Sequence, residues 1–364
     1  MRKSILATLV IMVLAAIMLP ACGISTPTAE PTIAPTTEAT IAPTAPCTAG
    51  LVTDVGKIND GTFNQYAYMG LLKAEKDLGI GIKYIETQAQ ADYAKNIQLL
   101  VEQKCEIVVA VGFMMGDAIK DASSKYPDTK FAIVDFLYDP AIAAADDNKN
   151  VRSLLFTEDQ AGYMAGALAA AMTKSGTIAA VGGMEIPPVQ KFLKGYEAGA
   201  KSIDAAVVVK TVYIDTFTDR ARGAEAAKSF MAEGADVIFG AGGQTGSGAI
   251  QAAAEAGAYV IGVDQDEYIT TFQNGAAPSA DKIISSAMKR VDQAVFLTIK
   301  DVIDGKFSDG ATVYNAANAG IGLAPYNKAD GAIPTEVKTK MAEILEGLSD
   351  GSITTGVTID TSLP

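Results

Sequence analysis

Leu51-Val52-Thr53-Asp54-Val55-Gly56-Lys57-Ile58-Asn59-Asp60-Gly61-Thr62-Phe63-Asn64-Gln65 changes its hydrophobic period part-way along. A short apolar, β-branched run closes on Asp54, and a turn follows. Beyond it, Tyr68, Leu71, Leu72 and Leu78 fall at helical spacing until Gly79 ends the helix near 63–78. Thr62 and Gln65 have the spacing of a capping box, which would set the helix start and leave Phe63 and Asn64 in its first turn beside free amides. Strand, turn and helix in this order are the first half of a βαβ unit.

The same alternation continues outward from that stretch. Ile82–Glu86, Glu106–Val111, Phe131–Asp135 and Val151–Phe156 read as strands, with helices at 91–103 and 116–125 between them. A second series places strands at Thr177–Val181, Val207–Ile214, Asp236–Phe239 and Tyr259–Asp264, with helices near 188–203, 219–233 and 246–257. A segment around Lys289–Gly305, a strand-like Ala311–Leu323 and a helix at 334–347 complete the chain. This is an α/β protein: two doubly wound parallel-sheet lobes, each sheet covered on both faces, joined by a hinge of several crossings. The expected division is 48–157 with 289–364 for lobe 1 and 158–288 for lobe 2.

Composition narrows the function. The 364 residues include no His and carry a formal charge of −13. A net acidic chain is a poor partner for a nucleic acid polymer. Without His there is no Ser-His-Asp or Cys-His catalysis and no His-containing zinc site. Neither a metal nor a cofactor is expected. Arg2 and Lys3 precede an apolar stretch from Ile5 to Leu19, too short to span a bilayer, and Leu19-Pro20-Ala21-Cys22 resembles a bacterial lipobox. Residues 1–21 thus read as an export signal and Cys22 as the lipidated residue of a membrane-anchored, extracytoplasmic protein. Residues 22–47 are rich in Thr and Pro, with Thr32-Ile33-Ala34-Pro35-Thr36 nearly repeated at Thr40-Ile41-Ala42-Pro43-Thr44, the composition of a semi-rigid tether. Cys47 lies just before the first strand and Cys105 just before the third. In a 2-1-3-4-5 strand order these are neighbours, so an exported protein permits a disulfide there, with two buried thiols as the alternative.

Ligands of open parallel sheets bind beyond the carboxyl ends of the strands. Three strands here end in aspartate, at Asp54, Asp135 and Asp264. Another ends in Gly112-Phe113, and another in the glycine turn Gly240-Ala241-Gly242-Gly243, where a ligand can approach backbone N–H groups. Asp60, Phe63 and Asn64 join this rim. Taken singly, Asp135 and Asp264 could equally cap helices, Phe63 could be packing, and Lys289 could be a solvated charge. Together, rim carboxylates and an aromatic favour a polar, uncharged ligand over an anion.

Several segments in order carry a family resemblance: Asp60-Gly61-Thr62-Phe63-Asn64-Gln65, Gly112-Phe113-Met114, Tyr126-Pro127 to Asp135, Gly162 to Gly166, Gly182-Gly183-Met184 with Pro188 and Phe192 to Gly195, Gly262-Val263-Asp264-Gln265-Asp266, and Ser285-Ser286-Ala287-Met288-Lys289-Arg290. From about 48 to 350 the chain resembles the basic membrane protein (BMP) family of ABC transporter substrate-binding lipoproteins, of the purine nucleoside receptor kind. The resemblance implies a type I periplasmic-binding-protein fold with a nucleoside in the interlobe cleft. It implies that Phe63 and Phe217 sandwich the base, that Asn64 and Asp135 read its edge, and that Asp264 accepts from the ribose diol. Lys289 and the Gly240–Gly243 backbone would assist. The implied partners are a permease and a separate ATPase, since the chain has no Gly-x-x-x-x-Gly-Lys-Ser/Thr loop of its own. A monomer is expected. Other readings are a nucleoside hydrolase with Asp264 and Asp266 around calcium, binding of a free sugar or furanone signal by the same fold, and an adhesin on the Thr/Pro stalk. A dinucleotide site at Gly240–Gly243 fails because Thr245 occupies the last glycine position of Gly-x-Gly-x-x-Gly.

Overall fold

A computed structural model describes residues 46–138 and 149–359, so the stretch read as an export signal, Cys22 and nearly all of the expected tether lie outside the described residues. The rest builds two six-stranded sheets. The first takes β1 (Cys47–Val55), β2 (Gly81–Thr87), β3 (Ile107–Ala110), β4 (Lys130–Val134), β5 (Val151–Phe156) and β11 (Gly310–Tyr314), in the order β11-β5-β4-β3-β1-β2. The second takes β6 (Thr177–Gly182), β7 (Val208–Tyr213), β8 (Val237–Ala241), β9 (Tyr259–Asp264), β10 (Ile283–Lys289) and β12 (Ile321–Leu323), in the order β12-β10-β9-β8-β6-β7. All neighbours run parallel except β10 and β12. Central strands such as β1 and β8 are apolar and buried almost throughout, whereas the edge strands β2 and β7 stay half-exposed.

Helices α1 (Phe63–Leu78), α2 (Tyr93–Glu102) and α3 (Gly116–Lys125) cover the first sheet, joined by α8 (Val291–Ile303), which packs on α1. The second lobe holds α4 (Glu158–Met172), α5 (Pro187–Ile203), α6 (Arg220–Ala232), α7 (Gly243–Glu255) and α9 (Thr335–Asp350), the last lying on α4. The α4–α5 pair is the most intimate in the molecule. Gly162 and Gly166 on α4 meet the backbone of Phe192 and Tyr196, and Gly195 and Gly199 on α5 meet that of Asp159 and Tyr163. A β-carbon at any of the four would collide with main chain.

Two expectations are corrected by this topology. The strand-like Ala311–Leu323 is two strands in different sheets, separated by a short 3-10 turn at Ala316–Asn318. Residues 289–364 therefore do not all return to lobe 1: α8 and β11 do, while β12 and α9 belong to lobe 2. Three crossings result, at 156–158, 289–291 and 314–321. They are tied side by side, Thr157 N–H donating to the Tyr314 carbonyl at 3.0 Å and Arg290 N–H to the Gly320 carbonyl at 2.9 Å. Cys47 and Cys105 form a disulfide with Cα atoms 4.5 Å apart, at the amino ends of β1 and β3 and so at the far end of the sheet from Asp54.

Candidate functional site

The first strand–helix turn is built differently from a capping box. Thr62 is the residue before α1, but its hydroxyl makes no cap bond. Asp60 does that work: one carboxylate oxygen accepts from the N–H groups of Thr62 (2.9 Å) and Gln65 (3.1 Å), the other from Asn64 N–H (3.1 Å). Gln65 does not supply the other half of the motif either: its Oε1 accepts from the N–H of Gly61, one residue before the cap, at 2.9 Å. The amides of Asn64 and Gln65 are thus occupied, not free, because a short carboxylate two residues before the cap reaches both at once. Asp60 also accepts from Asn64 Nδ2 at 3.0 Å, while Asn64 Oδ1 accepts from Asp54 N–H at 3.0 Å. Asn64 is thereby locked across the turn with one amide hydrogen remaining. Asp54 accepts from Val55 N–H at 2.6 Å and from the Tyr93 hydroxyl. Burial pushes both Asp54 and Asp60 upward in pKa against these bonds.

All three residues line a cavity of about 680 Å³ between the lobes, its mouth included. The first lobe also contributes Phe63, Phe113 and Asp135; the second contributes Phe217, Gly242, Gly243, Asp264 and Lys289. Sequence reasoning missed the apolar wall of Ile186, Pro188, Val189 and Phe192 at the start of α5. Pro188 and Phe192 stood in a quoted segment, yet a Pro-Pro helix start does not advertise a ligand. Phe217 rests on Gly183, where any β-carbon would overlap its ring. Phe113 is backed by Phe136, ring centroids 5.3 Å apart.

Gly240 is not part of the lining. It sits inside β8, where the absence of a side chain lets the backbone of α7 at Gly246 come close, so its role is packing. Asp266 likewise points elsewhere, accepting from Asn327 Nδ2 at 3.0 Å and Tyr268 N–H at 3.1 Å, which removes it as a calcium partner of Asp264.

Asp135 and Asp264 adopt left-handed backbone, φ 70° and 65°. Neither caps a helix: the next helical turn after Asp264 begins at Gln273, and Asp135 leads into the non-helical residues 136–138. Lys289 Nζ bonds Asp135 Oδ2 at 2.6 Å and Glu158 Oε1 at 2.9 Å. Asp135 Oδ1 is buried with no partner. Burial raises the Asp135 pKa to about 6 although the Lys289 charge pulls it down. Burial also raises Asp264 to about 8, only partly opposed by Lys289. Lys289 itself is held protonated: the negative charges of Asp135, Glu158 and Asp264 outweigh its own burial. Glu158, unanticipated from sequence, lies below its ordinary pKa because Lys289 and Lys191 overcome the cost of burial.

On the rim the lobes touch. Gln265 Nε2 donates to the Thr62 carbonyl at 3.0 Å and the Thr270 hydroxyl to the Gly61 carbonyl at 2.7 Å. A cavity walled by rings and edged by carboxylates, closed between two hinged lobes, is a place to enclose a small molecule.

A sequence profile described as ABC transporter substrate-binding protein, PnrA-like (Bmp), matches residues 48–344. The chain belongs to the Bmp family. Among its Bmp-like relatives is the ABC transporter nucleoside-binding protein BmpA of Lactococcus lactis, 32% identical over 320 residues, covering 84% of this chain and 88% of that protein. An uncharacterized lipoprotein of Pyrococcus abyssi is 32% identical over 286 residues, covering 75% and 67%. The crystal structure of an ABC transporter system solute-binding protein from Aeropyrum pernix superposes with a TM-score of 0.75 at 25% identity, over 85% of this chain and 93% of that one. As a Bmp protein the chain is the substrate-binding component of an ABC system, not an enzyme: it binds a small molecule and serves a permease. The two-lobed periplasmic-binding architecture agrees with that family.

Proposed function

We propose that this Bmp protein captures an uncharged nucleoside, with a purine base favoured, between its lobes and delivers it to its permease. The observation that carries this reading is the pairing of aromatic walls with an unsatisfied acceptor in one enclosed space: Phe63 and Phe217 line it, and Asp135 Oδ1 lacks a partner. A flat heterocycle between the rings gains stacking and apolar contact. Its N–H groups would satisfy Asp135, and the remaining Asn64 amide hydrogen would meet a ring acceptor. Asp264 would accept from the ribose diol, and the backbone at Gly242 and Gly243 lets the sugar lie close. The name of the Lactococcus relative supports the ligand class. We further propose that the protein works as a monomer, exported and held at the outer face of the membrane by a lipid on Cys22; the lipoprotein relative from Pyrococcus supports the lipid anchor.

Calorimetry with guanosine, inosine, adenosine, cytidine and ribose tests the assignment. Tight purine nucleoside binding with no product in the cell is the expected outcome. Affinity for ribose alone would replace the nucleoside with a sugar, and appearance of free base would make the protein an enzyme.

A further inference from the structure

Glu158 does not line the cavity, yet it holds the cation that does. It opens α4 at the crossing from lobe 1 to lobe 2, and Lys289 closes β10 at the crossing back. Their 2.9 Å contact therefore ties two hinge strands together. The second oxygen of Glu158 receives Lys191 Nζ at 3.2 Å, from the helix α5 that is clamped on α4 through glycines. The result is an alternating series, Lys191–Glu158–Lys289–Asp135, running from lobe 2 through the hinge into lobe 1. Its two cations and two carboxylates cancel. Glu158 and Lys289 are 1% and 2% exposed at the side chain, so water screens their charges little.

An ammonium has three N–H groups. Asp135 and Glu158 take two from Lys289, which leaves one, and Nζ stands 5.1 Å from the ring centroids of both Phe63, which lines the cavity, and Phe156, which does not. Were the Glu158 charge lost, Lys289 would be free to turn toward the open oxygen of Asp135, and the site would carry one extra positive charge.

We propose that Glu158 is a positioning and specificity-determining residue: it fixes the direction of Lys289 and cancels its charge, so that the cavity prefers uncharged over anionic ligands. This rests on the nucleoside reading for its probes. Guanosine and xanthosine have nearly the same shape, but above neutral pH the base of xanthosine has lost a proton. Glu158→Gln should weaken guanosine binding and lower the guanosine-to-xanthosine affinity ratio, each by about tenfold. Glu158→Asp keeps the charge but shortens the reach, so it should weaken guanosine while leaving the ratio within about twofold of the original. A merely structural role would lower both affinities together. A ratio that does not fall in the Gln variant, including because neither protein binds xanthosine, overturns the proposal.

A ligand-free readout separates this from failure of the nucleoside reading. In nitrogen-labelled-lysine NMR, an exchange-protected ammonium signal, assigned by its loss in Lys289→Met, should be present in the parent protein and broadened in Glu158→Gln. An unaltered signal sinks the positioning role whatever the ligand proves to be. Failure of guanosine to bind the parent protein sinks only the nucleoside assignment.

Discussion

Asp135 and Asp264 stand at the carboxyl ends of the fourth strand of their respective sheets, with the same left-handed backbone and the same cavity in front of them. Their surroundings differ. Asp135 meets Lys289, delivered from the other lobe, at 2.6 Å, whereas Asp264 has no ion-pair partner among the described residues. One carboxylate is a charge held in place across the lobe junction; the other, with its pKa near 8, is close to neutral at physiological pH. The repeat of topology has not repeated the chemistry. The first lobe's acid is bound to the opposite lobe through Lys289, and the second lobe's acid faces the cavity without such a tie.

The widest gap between them should be in stability. Lys289→Met leaves Asp135 buried with no cation and Glu158 with Lys191 alone, a change expected to cost about 3–5 kcal/mol in urea unfolding. Asp264→Asn should cost little. A carboxyl raised from 3.8 to about 8 on folding holds a proton that the unfolded chain gives up, so its burden on stability grows as pH rises through that window and is constant above it. The Asn variant should therefore gain on the parent protein from acid toward about pH 8. Equal losses in the two variants would erase the contrast.

Replacing Cys47 and Cys105 by Ser supplies a control at the other end of the first sheet. Stability should fall by about 2–4 kcal/mol for a crosslink of this kind, while nucleoside affinity stays within about twofold. A large loss of affinity would mean that the lobe's two ends are not independent.

Binding variants sharpen the comparison further. Phe63→Ala should weaken nucleoside binding by about 1–3 kcal/mol through lost stacking, and unchanged calorimetric affinity would remove it as the base platform. The smallest expected effect is in pH. If the ribose diol donates to ionised Asp264, affinity should rise toward about pH 8 and then level off, with protons released on binding below that pH. Calorimetry in buffers of different ionisation enthalpy measures that release. Asp264→Asn should abolish the pH trend; a trend that survives belongs to another group, such as Asp135.

Much of this was legible in the sequence wherever local period and tertiary role agree. The helix expected near 63–78 is α1, Phe63–Leu78, and the strand-ending aspartates do reach one cavity. The site residues that escaped notice lie where local signals are mute. Helix α4 is buried on nearly every side, so its composition shows no apolar stripe, and no local pattern marks either the helix or Glu158 at its head. Lys289 was found, but its partners come from 154 and 131 residues away in the chain, a distance no spacing rule covers. Thr62 and Asp60 both suit a helix start, and only the hydrogen bonds distinguish them. Gly240 looked like part of a ligand turn because a glycine that admits a neighbouring helix is written the same way as one that admits a ligand.

A crystal structure of the protein with guanosine should show the base lying between Phe63 and Phe217, a base N–H on Asp135 Oδ1 and the ribose diol on Asp264. A nucleoside seated outside the interlobe cavity, or a base edge turned away from Asp135 with that oxygen still unpartnered, would contradict that placement.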